Sequence, residues 1–162
     1  MVTFFFDTSA VVKRYHREIG SEVIDEIFEL RGHKLAVSYW TVLEFMVAFS
    51  ARTRRKQLSR NAFNVVMSRF LKDVLDEFII TSVDDELIAS ATPLAVKYAL
   101  PSTDCLQLAS VVSLRNALEP EKEGLVLLCS DKDLYKAAQK EGIAFIDPEE
   151  KDALERLSAV LD

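Results

Sequence analysis

Glycine and proline are scarce, with four of each in 162 residues. So few turn formers argue for a compact globule with short connections. Cysteine is scarcer still. Cys105 and Cys129 lie in apolar contexts with no metal-ligand spacing, and they read as small core residues of a reducing compartment. The two histidines, His16 and His33, form no cluster and receive no functional role. No apolar run approaches the ~20 residues of a membrane span, and no signal peptide precedes the first apolar stretch. The expectation is a soluble, cytoplasmic protein with no membrane partner. Positive charge is also in deficit, since the net charge is -6. That balance gives no general attraction for nucleic acid, so the distribution of charge matters more than its sum.

What is present fits one domain over residues 1–162, with 49% hydrophobic residues to build one core. The chain is organised around Val2 to Phe6, an apolar β-branched and aromatic run that stops on Asp7. It suits a strand buried on both faces, of the kind found at the centre of parallel sheets. A polar group at the carboxyl end of such a strand opens onto the crevice where α/β proteins bind ligands. Ser9 to His16 reads as a short helix, and Ser21 as the cap of a second helix that Gly32 ends. Lys34 to Val37 is a second strand, with Ser38 or Thr41 as the next cap. The segment Trp40 to Phe49 is apolar nearly all round and predicts a buried helix, in which Trp40 reads as packing or subunit interface. Glu44 stands in its middle. An isolated carboxylate there costs several kcal/mol unless it is neutralised, paired or metal-bound, or falls on a solvent stripe.

Arg52 to Arg60 follows, five positive charges in nine residues. Such a turn reads either as a solvated tip or, in an acidic chain, as the natural contact for a polyanion. Ser59 caps a helix through Phe78, and Phe78 to Thr81 is a third strand. Asp84 or Asp85 caps a helix to about Leu100, interrupted near Pro93. Ser102 or Thr103 caps the next, with Asp104 in its first turn, where an acid alone simply complements the helix dipole. Leu125 to Cys129 is a fourth strand, stopping on Ser130-Asp131-Lys132-Asp133, where Asp131 is itself a plausible helix cap. Ile143 to Ile146 is a fifth strand, and Pro148 to Leu161 a terminal amphipathic helix. The alternation predicts an α/β domain with a parallel sheet.

Each acid is explicable alone, but Asp7, Glu44, Asp104 and Asp131 together are harder to dismiss. Carboxylates converging on one crevice repel unless one is protonated or a cation is present. Hard oxygen ligands without a Cys or His cluster suit Mg²⁺ or Mn²⁺. Such ions activate water and stabilise the leaving oxygen in phosphodiester hydrolysis.

Phe6-Asp7-Thr8-Ser9-Ala10, Val42-Leu43-Glu44-Phe45, Thr103 to Ala109 and Ser130-Asp131-Lys132-Asp133-Leu134 together resemble the PIN domain. The nearest subgroup is the VapC toxins of prokaryotic toxin–antitoxin pairs. The resemblance spans nearly the whole chain and implies an α/β/α sandwich on a central parallel sheet of about five strands. It implies a Mg²⁺- or Mn²⁺-dependent endoribonuclease that hydrolyses RNA by water attack and leaves a 5′-phosphate. Asp7, Glu44, Asp104 and Asp131 match the family's acidic quartet, as catalytic and metal-binding residues. Ser9 matches the small hydroxyl residue that supports the first acid, and Ser130 stands where Thr is common. Asp133 takes a position often acidic, a further ligand or a group just outside the ligands. Cys105 replaces a frequent Ala. The resemblance also implies a homodimer and a VapB-type antitoxin whose tail enters the groove. Arg52, Arg54, Arg55 and Lys56 are the candidate RNA contacts.

Two other families that begin on a strand ending in Asp fit less well. A haloacid-dehalogenase phosphatase needs a second Asp where Ser9 stands, and a receiver domain needs paired acids where Phe6-Asp7 offers one. A catalytically silent PIN-fold module that binds RNA or protein is the remaining alternative, although such a module would be expected to lose some of the four acids.

Overall fold

The fold was obtained as a computed structural model, which describes residues 1–161. Five strands form one all-parallel sheet in the order β3-β2-β1-β4-β5. They are β1 (Val2–Phe6), β2 (Lys34–Ser38), β3 (Phe78–Thr81), β4 (Gly124–Leu128) and β5 (Ala144–Ile146). The central strand is the most buried one. β1 pairs with β2 through Phe4↔Leu35 and with β4 through Phe4↔Val126. Its side chains alternate between two buried layers, and Phe4, Phe5 and Phe6 are wholly buried.

Phe4 and Phe6 face one layer, built from α1 (Thr8–Tyr15), α2 (Ser21–Glu29), α3 (Tyr39–Arg54), α4 (Arg60–Asp76) and α8 (Ala153–Leu161). Phe45 of α3 and Phe70 of α4 stack there with ring centroids 3.7 Å apart. Phe5 faces the other layer with Leu108, Val111 and Leu134. These belong to α6 (Ser102–Leu118) and α7 (Lys132–Lys140), and α5 (Asp85–Tyr98) packs on α6 through Leu87, Ala91, Cys105 and Ala109. The result is the three-layer sandwich that the sequence predicts.

Several expectations need correction. α3 is not buried all round: Thr41, Phe45 and Phe49 are covered, whereas Tyr39, Leu43 and Val47 are 52–57% exposed. These three are four residues apart, so they form one stripe on the side that neither sheet nor α4 covers. α5 continues unbroken through Pro93, which removes one hydrogen bond but leaves the packing of Leu87 and Ala91 on α6 intact. Ser21 does not cap α2. Gly20 does, in the left-handed conformation, because a Cβ there would lie 2.5 Å from the Pro148 carbonyl oxygen. Ser21 is instead buried, its hydroxyl donating to the Lys13 carbonyl. Pro101, without a side-chain bond, caps α6 in place of Ser102 or Thr103. α8 begins at Ala153 rather than Pro148.

Candidate active site

The carboxyl ends of β1, β2 and β4 each run straight into a helix N-terminus. Asp7, Ser38 and Asp131 are the caps at those three junctions, each accepting backbone N–H bonds from the helix it starts. The same junctions that end the strands therefore place these polar oxygens at the carboxyl edge of the sheet.

Asp7 is the most buried of the four candidate acids, at 7% exposure. Its Oδ2 accepts from the Ser9 backbone N–H at 3.0 Å and from the Ser9 hydroxyl at 2.7 Å. The Ser9 hydroxyl in turn accepts from the Ser130 N–H at 3.0 Å, so it ties the ends of β1 and β4 together. Oδ1 of Asp7 accepts from the Gln107 amide at 3.0 Å. Glu44, in the second turn of α3, is half-buried and accepts from the Thr8 hydroxyl at 2.6 Å. Burial raises its pKa, with a smaller push from the charge of Asp7, and the Thr8 bond works against both.

Asp104 lies in the first turn of α6. Its pKa is raised to about 6, first by burial and then by the charge of Asp131, with smaller contributions from Asp7 and Glu44. Asp104 therefore lies within electrostatic reach of the other three acids. None of the four forms an ion pair with a described Lys, Arg or His. Asp131 is exposed, and its Oδ1 caps α7 by accepting from the N–H groups of Asp133 and Leu134 at 2.9 and 3.0 Å. The cap reading of Asp131 therefore holds, on Oδ1. Asp133 is exposed, and its backbone N–H is what it gives to Asp131. Ser130 keeps a buried hydroxyl without a partner beside this junction.

The donor set is one of hard oxygens under mutual repulsion, which in chemistry fits a divalent cation. Among the described residues, however, no group of three or more His, Cys, Asp or Glu side chains is close enough to hold a metal ion.

The positive turn is divided. Arg52 is half-buried, with its guanidinium 5.1 Å over the Phe49 ring and 3.7 Å from Glu18. Arg54, Arg55 and Lys56 are exposed at the tip. Ten residues of helix separate Arg54 from Glu44, a rise of about 15 Å.

Three residues of the site carry no role in the sequence analysis. Thr8 orients Glu44. Cys129 is wholly buried, and its thiol lies 3.7 Å from Asp7 Oδ2 while accepting the Asp131 N–H at 3.2 Å. Burial, chiefly, and the Asp7 charge push that thiol far above its ordinary pKa, so it stays protonated. Gln107 is 1% exposed and bonds Asp7, Thr41 and Ser38 at once. Its one available signal is spacing: it follows Asp104 by three residues, on the same face of α6.

A family model described as the PIN domain matches residues 4–140. No curated protein matches the chain in sequence. Among solved structures, PAE2754 from Pyrobaculum aerophilum is 22% identical, with a TM-score of 0.60 over 98% of this chain and 96% of that one. FitAcB from Neisseria gonorrhoeae is 17% identical, with a TM-score of 0.63 over 90% and 97%. VapBC2 from Rickettsia felis, solved bound to a DNA fragment from its promoter, is 11% identical, with a TM-score of 0.61 over 89% and 97%. At these identities the structures speak for the fold, and the family model, which takes in the elements bearing all four acids, speaks for the family. The chain belongs to the PIN domain family.

Proposed function

We propose that this chain is a divalent-metal-dependent endoribonuclease, the toxin of a VapBC-type pair. The observation that carries the reading is the raised pKa of Asp104, to which Asp131, Asp7 and Glu44 all contribute, while among the described residues no basic side chain pairs with any of them. Four acids held together without a cationic side chain suit a site meant for a cation. Asp7, Glu44, Asp104 and Asp131 would hold Mg²⁺ or Mn²⁺. When bound, such an ion supplies a Lewis acid that lowers the pKa of water and offsets charge on the phosphate. One of the four acids would take the proton from the attacking water as its oxygen bonds to phosphorus and the P–O3′ bond breaks. This leaves a 5′-phosphate and a 3′-oxygen that takes a proton from solvent to become a 3′-hydroxyl. Ser9, Thr8 and Gln107 hold the carboxylates in place. Arg54, Arg55 and Lys56 give the RNA backbone its contact, with Arg52 bracing the turn beneath them.

VapBC complexes among the structural neighbours support a VapB-type antitoxin as partner. The exposed Tyr39, Leu43 and Val47 stripe offers apolar surface for that partner or for a second copy of the chain. The second reading is a silent PIN-fold module that binds RNA or protein.

An RNA-cleavage assay with and without Mg²⁺ or Mn²⁺, on wild type and Asp7→Asn, separates the two. Metal-dependent cleavage that Asp7→Asn abolishes, with folding retained, is the expected result. A variant that cuts at the wild-type rate removes Asp7 from the chemistry. RNA binding without cleavage under either ion turns the reading to the silent module.

A further inference from the structure

Gln107 is an unusual residue to find at the centre of a packed helix. It is 1% exposed, in a stretch of α6 where Cys105, Leu108, Ala109 and Val111 are also buried. A buried amide without partners costs several kcal/mol, but here both donors and the carbonyl are used. Nε2 donates to Asp7 Oδ1 at 3.0 Å and to Thr41 Oγ1 at 2.8 Å, and Oε1 accepts from the Ser38 hydroxyl at 2.8 Å. The Ser38 hydroxyl accepts the Thr41 N–H at 2.9 Å and so caps α3. Thr41 Oγ1 in turn lies 3.4 Å from the Phe6 carbonyl oxygen. One side chain thus joins the end of β1, the end of β2, the start of α3 and the face of α6.

We infer that Gln107 is a positioning residue that decides how Asp7 is presented to a cation. Oδ2 of Asp7 already accepts two bonds from Ser9, which fill the two lone-pair directions of one carboxylate oxygen. Oδ1 accepts one, from Gln107, and keeps one direction free. Asp7 therefore offers a single oxygen, Oδ1, along the direction that the Gln107 amide leaves open. Without the amide the carboxylate can turn about its last torsion, which is broad and soft. Because Asp104 lies one turn earlier on the same helix, the bond also sets the distance between α6 and β1 at which Asp104 meets Asp7. This inference rests on the metal-binding reading above.

The test is calorimetric titration of Mn²⁺ into wild type, Gln107→Leu and Gln107→Glu, with circular dichroism to check folding. Loss of a side chain that orients a metal ligand typically weakens metal binding ~10- to 100-fold, and that loss is expected in Gln107→Leu. Gln107→Glu is close to isosteric and keeps the acceptor for Ser38, so it guards against a Leu variant that fails to fold. It puts an oxygen where Asp7 needs a donor, and a weaker affinity is expected again. If wild type binds Mn²⁺ and a folded variant binds equally or more tightly, the positioning role is overturned while the metal site stands. A wild type that binds no Mn²⁺ overturns both.

Discussion

Asp104 holds its proton to about pH 6, against an ordinary value near 4, because folding places it under cover and beside three other acids. The consequence for stability follows from linkage. A carboxyl whose pKa is raised by folding binds its proton more tightly in the folded state, so the contribution of Asp104 to stability falls as pH rises from about 4 to 6. Asp104→Asn removes the charge and should stabilise the protein at pH 7 in chelator-treated buffer, by on the order of 1 kcal/mol once solvent screening is allowed for. Urea unfolding at pH 7 and at pH 4 checks this. The gain should be present above about pH 6 and disappear near pH 4, where the unfolded chain is protonated too. An equal gain at both values would trace it to something other than charge. At this scale the sequence was legible where a residue type is costly to bury. Asp7 and Glu44 stand out in apolar surroundings, and Ser9 follows its acid directly. Gln107 and Thr8 do not stand out, because an amide or hydroxyl in a helix is ordinary until its partners, distant in sequence, are known. Asp131 was ambiguous for a physical reason: an acid between a strand end and a helix start caps the helix whatever else it does.

The strands were legible to within a residue or so, since fully buried parallel strands are short continuous apolar runs bounded by polar groups. Helix ends were less so. Whether Ser21 or Gly20 caps α2 depends on Pro148, 128 positions later, and no local pattern reveals that approach. The apolar stripe of α3 misled for a related reason, since periodicity says which side is apolar but not which side is covered. α3 also carries both the acid Glu44 and, at its far end, the exposed positive tip. If that tip meets RNA, replacing Arg54 and Arg55 by Ala should weaken binding and reduce the salt slope by ~0.7 for each phosphate left without its cation. Affinities measured across a salt series, by fluorescence anisotropy with a labelled single strand, give this directly. An unchanged slope would mean that the tip is merely solvated.

At the scale of the whole molecule, β1 is the partition between two hydrophobic layers, with Phe4 and Phe6 serving one and Phe5 the other. Each such burial contributes about 1.5–3 kcal/mol, and truncation adds the cost of the cavity it leaves. Phe5→Ala should therefore lower unfolding free energy by ~3–5 kcal/mol, read from the midpoint of a urea transition with its slope unchanged. A drop of less than about 1 kcal/mol would show that α6 and α7 can collapse onto the strand. The same central position has a temporal side. Asp7 emerges with the first few residues of the chain, whereas Gln107, which holds it, follows 100 positions later. At ~5–20 residues per second that interval lasts about 5–20 s. Throughout it the growing chain carries the first acid without α6, Asp104 or Asp131. A half-synthesised copy therefore carries Asp7 and Glu44 without Asp104, Asp131 or the Gln107 bond, and cannot assemble the proposed site.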